Sequence, residues 1–379
     1  MTFSQFPTDL ASVGSYDWPR APATSSLKEG YRRLREKLRV LDDRKADLLP
    51  DDLERLTGSV IPDALWSSLR AHQFECLDKV YLEWARREEG PHTVCAFVMM
   101  PSVPRHFLAD WAKDRGLDLV DAAAVPTGGA ALMVPDISSL VRRSLEGRAA
   151  MRSYLAELDG ASRNVLLGMS SWTWTYLAQT SAIQAVVSDA RCFAPFGDKA
   201  LAELLRAHLG DRVLKSADSG KDILAEDDEG APKDRYLKTL AARAYGCPWA
   251  AIRLLDAAVN QEVEANGDAT DATKDSDHDD TGDDHEDAAT WLQDPAVPQL
   301  PSRIERIGRF VLHALLIHGP LTAKELGSVL PMTLPVGIGS ALERVGLIEI
   351  EDGKITVRES AYPHVRRILS EAGLPLDQI

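Results

Sequence analysis

From Thr93 onward the sequence alternates short apolar runs with longer amphipathic stretches, and no other feature constrains the fold as strongly. The runs "TVCAFVMM" (93–100), "AALMV" (130–134) and "NVLLGM" (164–169) are apolar at successive positions, as strands covered on both faces are. We expect strands at 93–100, 117–122, 130–134, 164–169 and about 184–188. Helices are expected at 105–115, 139–158, 171–180 and 198–209. Strands and helices that alternate in this way predict an α/β fold around a mainly parallel sheet.

Around this region the chain divides by composition. Residues 1–26, with "YDWPRAPATSS", lack an apolar period and are expected to form a mobile tail. Residues 27–90 are expected to be helical. Within 27–49, Leu34, Leu38, Leu41 and Leu48 repeat at helical spacing, and "YRRLREKLR" adds a basic face. Its arginines, Arg32, Arg33, Arg35 and Arg39, are candidate partner contacts, although a basic helix face is more often simply solvated. A second helical block, 63–87, carries Leu65, Leu69, Phe74, Leu77, Val80, Tyr81 and Trp84. The α/β core is assigned to 91–210 and a helical region to 211–260, clearest at 235–259.

The chain has 379 residues, 45% hydrophobic and 27% charged, enough for two or three domains with apolar cores. Its apolar runs fall far short of the roughly 18 to 20 residues of a spanning helix. The first 26 residues show no basic-then-apolar export signal, so a cytoplasmic location is expected. Cys76, Cys95, Cys192 and Cys247 are scattered, without C-x-x-C pairs, and read as reduced core thiols.

The net charge of −15 is concentrated in one segment. Residues 262–294 hold thirteen acidic residues against one lysine, which leaves about −3 for the rest. A broad basic face for nucleic acid is therefore disfavoured. Residues 261–301 are assigned as an acidic linker, because 261–289 cannot bury enough apolar surface to offset the entropy of ordering it. Asp275, Asp277, Asp279, Asp283 and Glu286 fit a calcium-loop register, but Asp280 stands where that loop needs its glycine, so no metal site is assigned.

The sequence of strand, loop, helix, two strands, helix, strand, helix, strand, helical block and C-terminal unit resembles an AAA+ ATPase of the origin-recognition and signal-transduction type. The resemblance covers roughly 91–379. It is supported by "ARCFAPFGDKALAELLRAHLG", similar to the segment leading into the lid, and by "LAARAYGCPWAAIRLLDAA", similar to the lid helix pair. It implies a parallel-sheet core like that of P-loop ATPases, a helical lid, and a winged-helix domain over 302–379.

The resemblance also identifies where nucleotide chemistry would sit. The phosphate-loop register reads "MMPSVPRH", with Met99 and Pro104 in place of glycines, Arg105 in place of lysine and His106 in place of the magnesium-binding hydroxyl. After the third strand, "ALMVPDISS" keeps the aspartate as Asp136 but has Ile137 at the glutamate position. Ser170 and Ser171 hold the sensor position. In the lid, Trp249 takes the place of an arginine, with Arg253 one turn further on.

In "NVLLGMSSWTWTYLAQ", Trp172 and Tyr176 share a helix face and are expected to pack, whereas Trp174 points elsewhere and is a candidate partner contact. The same stretch resembles a nucleophile elbow, which would make Ser170 a hydrolase serine with His208, His313 or His318 as base. Trp172 stands where the elbow needs a small residue. In 302–379, nine basic residues balance nine acidic ones, and 332–345 offers only Glu343 and Arg344 as charges, so protein contact is favoured over DNA.

These readings converge on an expected pseudo-ATPase. It would be a regulatory or adaptor subunit rather than an enzyme, with no cofactor, no metal and no membrane. Its partner would be a protein, an ATPase or another subunit of a complex. The alternative class is a DNA-associated winged-helix factor in transcription, replication or mobile-element control. The serine hydrolase is the lesser alternative.

Overall fold

The computed structural model describes residues 6–22, 61–87, 92–120, 131–210, 212–228, 230–267, 290–292 and 298–379. The expected helix at 27–49, with Arg32, Arg33, Arg35 and Arg39, lies outside them, as does the acidic run 268–289 with its calcium-loop register. Two compact units form. Of the described residues, one unit joins those of 8–17 and 70–194 to 298–379, and the other gathers 6–7, 18–22, 61–69 and those between 195 and 292.

The sheet begins with a strand that composition hid. Residues Leu10–Ser12 form β1, antiparallel to β6, with Leu10 opposite Phe193. Residues 6–22 therefore do not behave as the expected mobile tail: Leu10 and Tyr16 are buried, and three backbone pairs dock the strand on the sheet edge. The helix α1 (Asp63–Leu77) continues through a π turn to Ala85, matching the expected block at 63–87. Next come β2 (Val94–Met99), α2 (Phe107–Asp114), β3 (Asp118–Leu119), β4 (Leu132–Val134), α3 (Leu145–Asp159), β5 (Val165–Ser170), α4 (Ser171–Thr180), α5 (Ile183–Val186) and β6 (Val187–Phe193).

The sheet order is β1-β6-β2-β5-β4-β3, and every pairing except that of β1 is parallel. Central strands β2 and β5 are buried along nearly their whole length, which explains their unbroken apolar sequence. Gly168 on β5 is required by packing: a Cβ there would overlap the Pro135 carbonyl oxygen of the neighbouring loop.

In the second unit, α6 (Asp198–Leu209), α7 (Tyr236–Arg243) and α8 (Pro248–Gly267) are accompanied by a parallel pair, β7 (Leu214–Ser216) and β8 (Thr290–Leu292). The helix α6, expected with the core, belongs to this unit, and β8 lies within the stretch assigned to the linker. Trp249 stacks on Trp66 with ring centroids 5.4 Å apart, and the Arg253 guanidinium lies over both indoles.

Residues 302–379 fold as α9 (Glu305–His318), β9 (Leu321–Thr322), α10 (Ala323–Val329), α11 (Ile338–Arg344), β10 (Ile348–Glu351), β11 (Lys354–Val357) and α12 (Tyr362–Glu371). The three strands form an antiparallel sheet in the order β10-β11-β9. Asp352 and Gly353 both take positive φ at the two-residue turn that joins β10 to β11. A capping box between Thr322 and Glu325 starts α10. No helix of the described residues is long and apolar enough to cross a membrane.

Candidate functional site

In a parallel sheet the ligand crevice opens beyond the carboxyl ends of the strands, where successive connections diverge. Here that place is the end of β2 and β5, whose last residues, Met99 and Ser170, are register partners. Three of the sequence-predicted stations come together there: the 99–106 loop, Asp136 and Ser170 line one cavity of about 90 Å³. Pro135, Ser138 and Met169 add to its core side, and the facing wall comes from the C-terminal elements, including Leu315, Leu316, Gly319, Pro320 and Val357.

The loop spends its hydrogen-bonding groups within the chain. The Val103 N–H donates to the Met100 carbonyl and the Phe107 N–H to the Pro104 carbonyl, both at 2.9 Å. Pro101 and Pro104 have no N–H to give. The Arg105 N–H donates to Glu359 Oε1 at 3.1 Å, while its guanidinium reaches Glu349 Oε1 at 2.7 Å. Buried Ser102 donates its hydroxyl to the Glu359 carbonyl at 3.0 Å.

Asp136 is equally engaged. Its Oδ1 accepts from the Ser138 N–H and its Oδ2 from the Ser138 hydroxyl, both at 2.8 Å. Gly319, just past α9, sits against this turn with φ +69°, and a Cβ there would lie 2.5 Å from Ser138 Oγ. With the Val103 and Arg105 amides, the Arg105 guanidinium and Asp136 engaged, and two prolines in the loop, the residues at this station do not fit a magnesium-bound triphosphate in this arrangement.

Ser170 caps α4, its hydroxyl oxygen accepting the Thr173 N–H at 3.0 Å. The hydroxyl itself donates to the Leu316 carbonyl at 3.2 Å, and that of Thr173 to the Ile317 carbonyl at 2.7 Å. Among the described residues the candidate bases bond elsewhere: His208 Nδ1 lies against the Leu204 carbonyl at 2.9 Å, His313 Nδ1 faces Arg143 at 3.3 Å, and His318 Nδ1 pairs with the Val141 carbonyl at 3.0 Å. The elbow reading therefore has no nucleophile and base pair to support it.

Trp172 packs edge-on against His313 and Tyr176 against His318, so these two aromatics do the packing expected of them, against α9. Trp174, a candidate partner contact, is only 6% exposed and is corrected to a core residue. It lies on a helix covered on several sides, and the sequence marked only one face of that helix as buried. Burial, followed by the nearby Arg143, lowers both His313 and His318 to a pKa of about 4.

Sequence reasoning missed Asp377. This carboxylate is fully buried and accepts from Ser171 Oγ at 2.6 Å, from the Tyr362 hydroxyl at 2.8 Å and from Arg366 Nε at 2.7 Å. Next to it, the Gln378 N–H donates to Thr175 Oγ1 at 2.8 Å. A lone aspartate in "GLPLDQI" carries no signal of such a role. The four cysteines are buried, and burial raises Cys192 to about 12 and Cys76 to about 11.

No family model matches the chain, and no curated protein does. Solved structures give likenesses at low identity. The chain is similar to the RuvB Holliday junction branch migration motor of Thermotoga maritima, at 14% identity and a TM-score of 0.29, over 83% of this chain and 96% of that one. It is similar to the ORC2 protein of Aeropyrum pernix, at 13% and 0.35, over 80% and 94%. A Walker-type ATPase of Pyrococcus abyssi gives 12% and 0.23, over 80% and 78%. Two of these solved structures are a branch migration motor and a Walker-type ATPase, and the expectation that the chain is not an enzyme is withdrawn. The chain itself folds around a mainly parallel sheet flanked by helices, the α/β class expected of it.

Proposed function

We propose that the chain works as a regulatory or adaptor subunit, acting through protein–protein contacts with an ATPase or another subunit of a larger complex. One observation carries this reading: Arg105 and Ser170, which would face a nucleotide, are bonded instead to Glu349, Glu359 and Leu316 of the C-terminal unit. The sheet end thus serves as a docking platform inside the chain, and the outer surfaces are left for partners.

We read residues 302–379 as a winged helix used for protein contact. Its helix α11 offers only Glu343 and Arg344 as charges, and the β10–β11 hairpin carries Glu349, Glu351 and Asp352 against Lys354. Such a surface is poorly suited to phosphates.

The test is to purify the chain from its native host under cross-linking and to measure stoichiometry and duplex-DNA binding together. The reading expects a fixed-ratio complex with at least one other protein and no salt-sensitive DNA retardation. Recovery of the chain alone, with DNA binding that falls steeply with salt, overturns it in favour of the DNA-associated alternative.

A further inference from the structure

The contacts between 298–379 and the sheet end have an unusual composition. They are dominated by carboxylates and carbonyls of the C-terminal unit that accept from donors of the core. Glu359 takes the Arg105 amide and Glu349 its guanidinium, the places where a loop of this kind would offer hydrogen bonds to an anion. Leu316 and Ile317 supply carbonyls to Ser170 and Thr173. Asp377, with no exposed side-chain surface, ties α12 to Ser171 on α4.

We propose that the C-terminal unit is an autoinhibitory strap: Glu349 and Glu359 stand in for an anionic ligand on the 99–106 loop, Asp377 locks the strap, and its release opens the sheet end. The inference holds whichever partner the chain serves. Two features of the geometry support it. The Arg105–Glu349 pair is part-exposed and can exchange for water or a competing oxyanion, unlike an apolar core contact. The cavity left at the join also shows that the two surfaces are not packed to core density there.

The test places a thiol under the strap. Met100 is 6% exposed and lines the cavity, and the native cysteines are buried, three with raised pKa values, so Met100→Cys gives a reporter over a low background. Its labelling rate by a small disulfide reagent is measured in the full chain, alone and with Asp377→Asn. Loss of one charge-assisted partner is expected to raise the rate about tenfold, and Glu349→Gln with Glu359→Gln, on more exposed partners, about threefold. Ser171→Ala removes the lock from the core side and should act in the same direction if Asp377→Asn fails to fold. Added inorganic triphosphate is expected to speed labelling in the parent and to have less effect in the glutamine variant. Equal labelling rates in the parent and in every folded variant overturn the strap.

Discussion

Ser171 donates its hydroxyl to Asp377 across 206 positions of sequence, at 2.6 Å and out of contact with water. This bond fastens the first turn of α4 to the segment after α12, and Tyr362 and Arg366 complete the carboxylate's shell. Replacing Asp377 with Ala leaves a guanidinium 12% exposed, together with two buried hydroxyls, and all three lose their acceptor. The expected loss is about 3 to 5 kcal/mol in urea unfolding. A loss below about 0.5 kcal/mol would mean the pair is not formed.

Gly319 is the second sensitive point. Its φ of +69° and the closeness of Ser138 Oγ both penalise a side chain. Gly319→Ala should cost about 2 to 3 kcal/mol, and adding Ser138→Ala should return part of that, because the oxygen in the way is removed. Strict additivity in thermal unfolding would show that the two residues do not meet.

His313 and His318 predict a pH dependence. Their folded pKa values near 4 lie below the ordinary 6.5, so the fold favours the neutral rings. Below pH 6.5 the unfolded chain takes up protons that the folded chain refuses until about pH 4, and stability falls through that window. The slope is up to about 1.4 kcal/mol per pH unit for each ring. His318→Gln should flatten it in urea midpoints taken from pH 7 to 5, and a profile unchanged by this substitution would contradict the assignment. Arg143, facing His313 and lying over the Tyr176 ring, is the cation that opposes a second charge.

Ser170 should be inert to a fluorophosphonate probe, because its hydroxyl is committed to the Leu316 carbonyl and no imidazole is at hand. Ser170→Ala removes a helix cap and is expected to cost about 1 kcal/mol of stability, measurable by thermal melt. Covalent labelling at Ser170 would restore the hydrolase reading.

Strands β2, β4 and β5 were legible because burial on both faces leaves an unbroken apolar record. The strand β6 was expected at about 184–188 and runs Val187–Phe193, since Ser188, Asp189 and Arg191 interrupt its apolar pattern. Asp189 and Arg191 satisfy each other at 2.8 Å, which lets a strand hold them. The three-residue β1 is too short to show a period.

The stations at 99–106, Asp136 and Ser170, read from motif order, do line one cavity. Their occupation by Glu349, Glu359 and Gly319 could not be read, because it depends on contacts between residues more than 140 positions apart. Only the acidic hairpin hinted that the C-terminal unit seeks a basic or donor-rich surface.

The account rests on residues 298–379 covering the end of the parallel sheet, and proximity there can be measured directly. With p-benzoylphenylalanine in place of Met99 in the full chain, irradiation and peptide mapping should give intramolecular cross-links to 315–320 or 356–357, the segments that share its cavity. Cross-links confined to the core, or formed only between chains, would contradict the arrangement on which the strap depends.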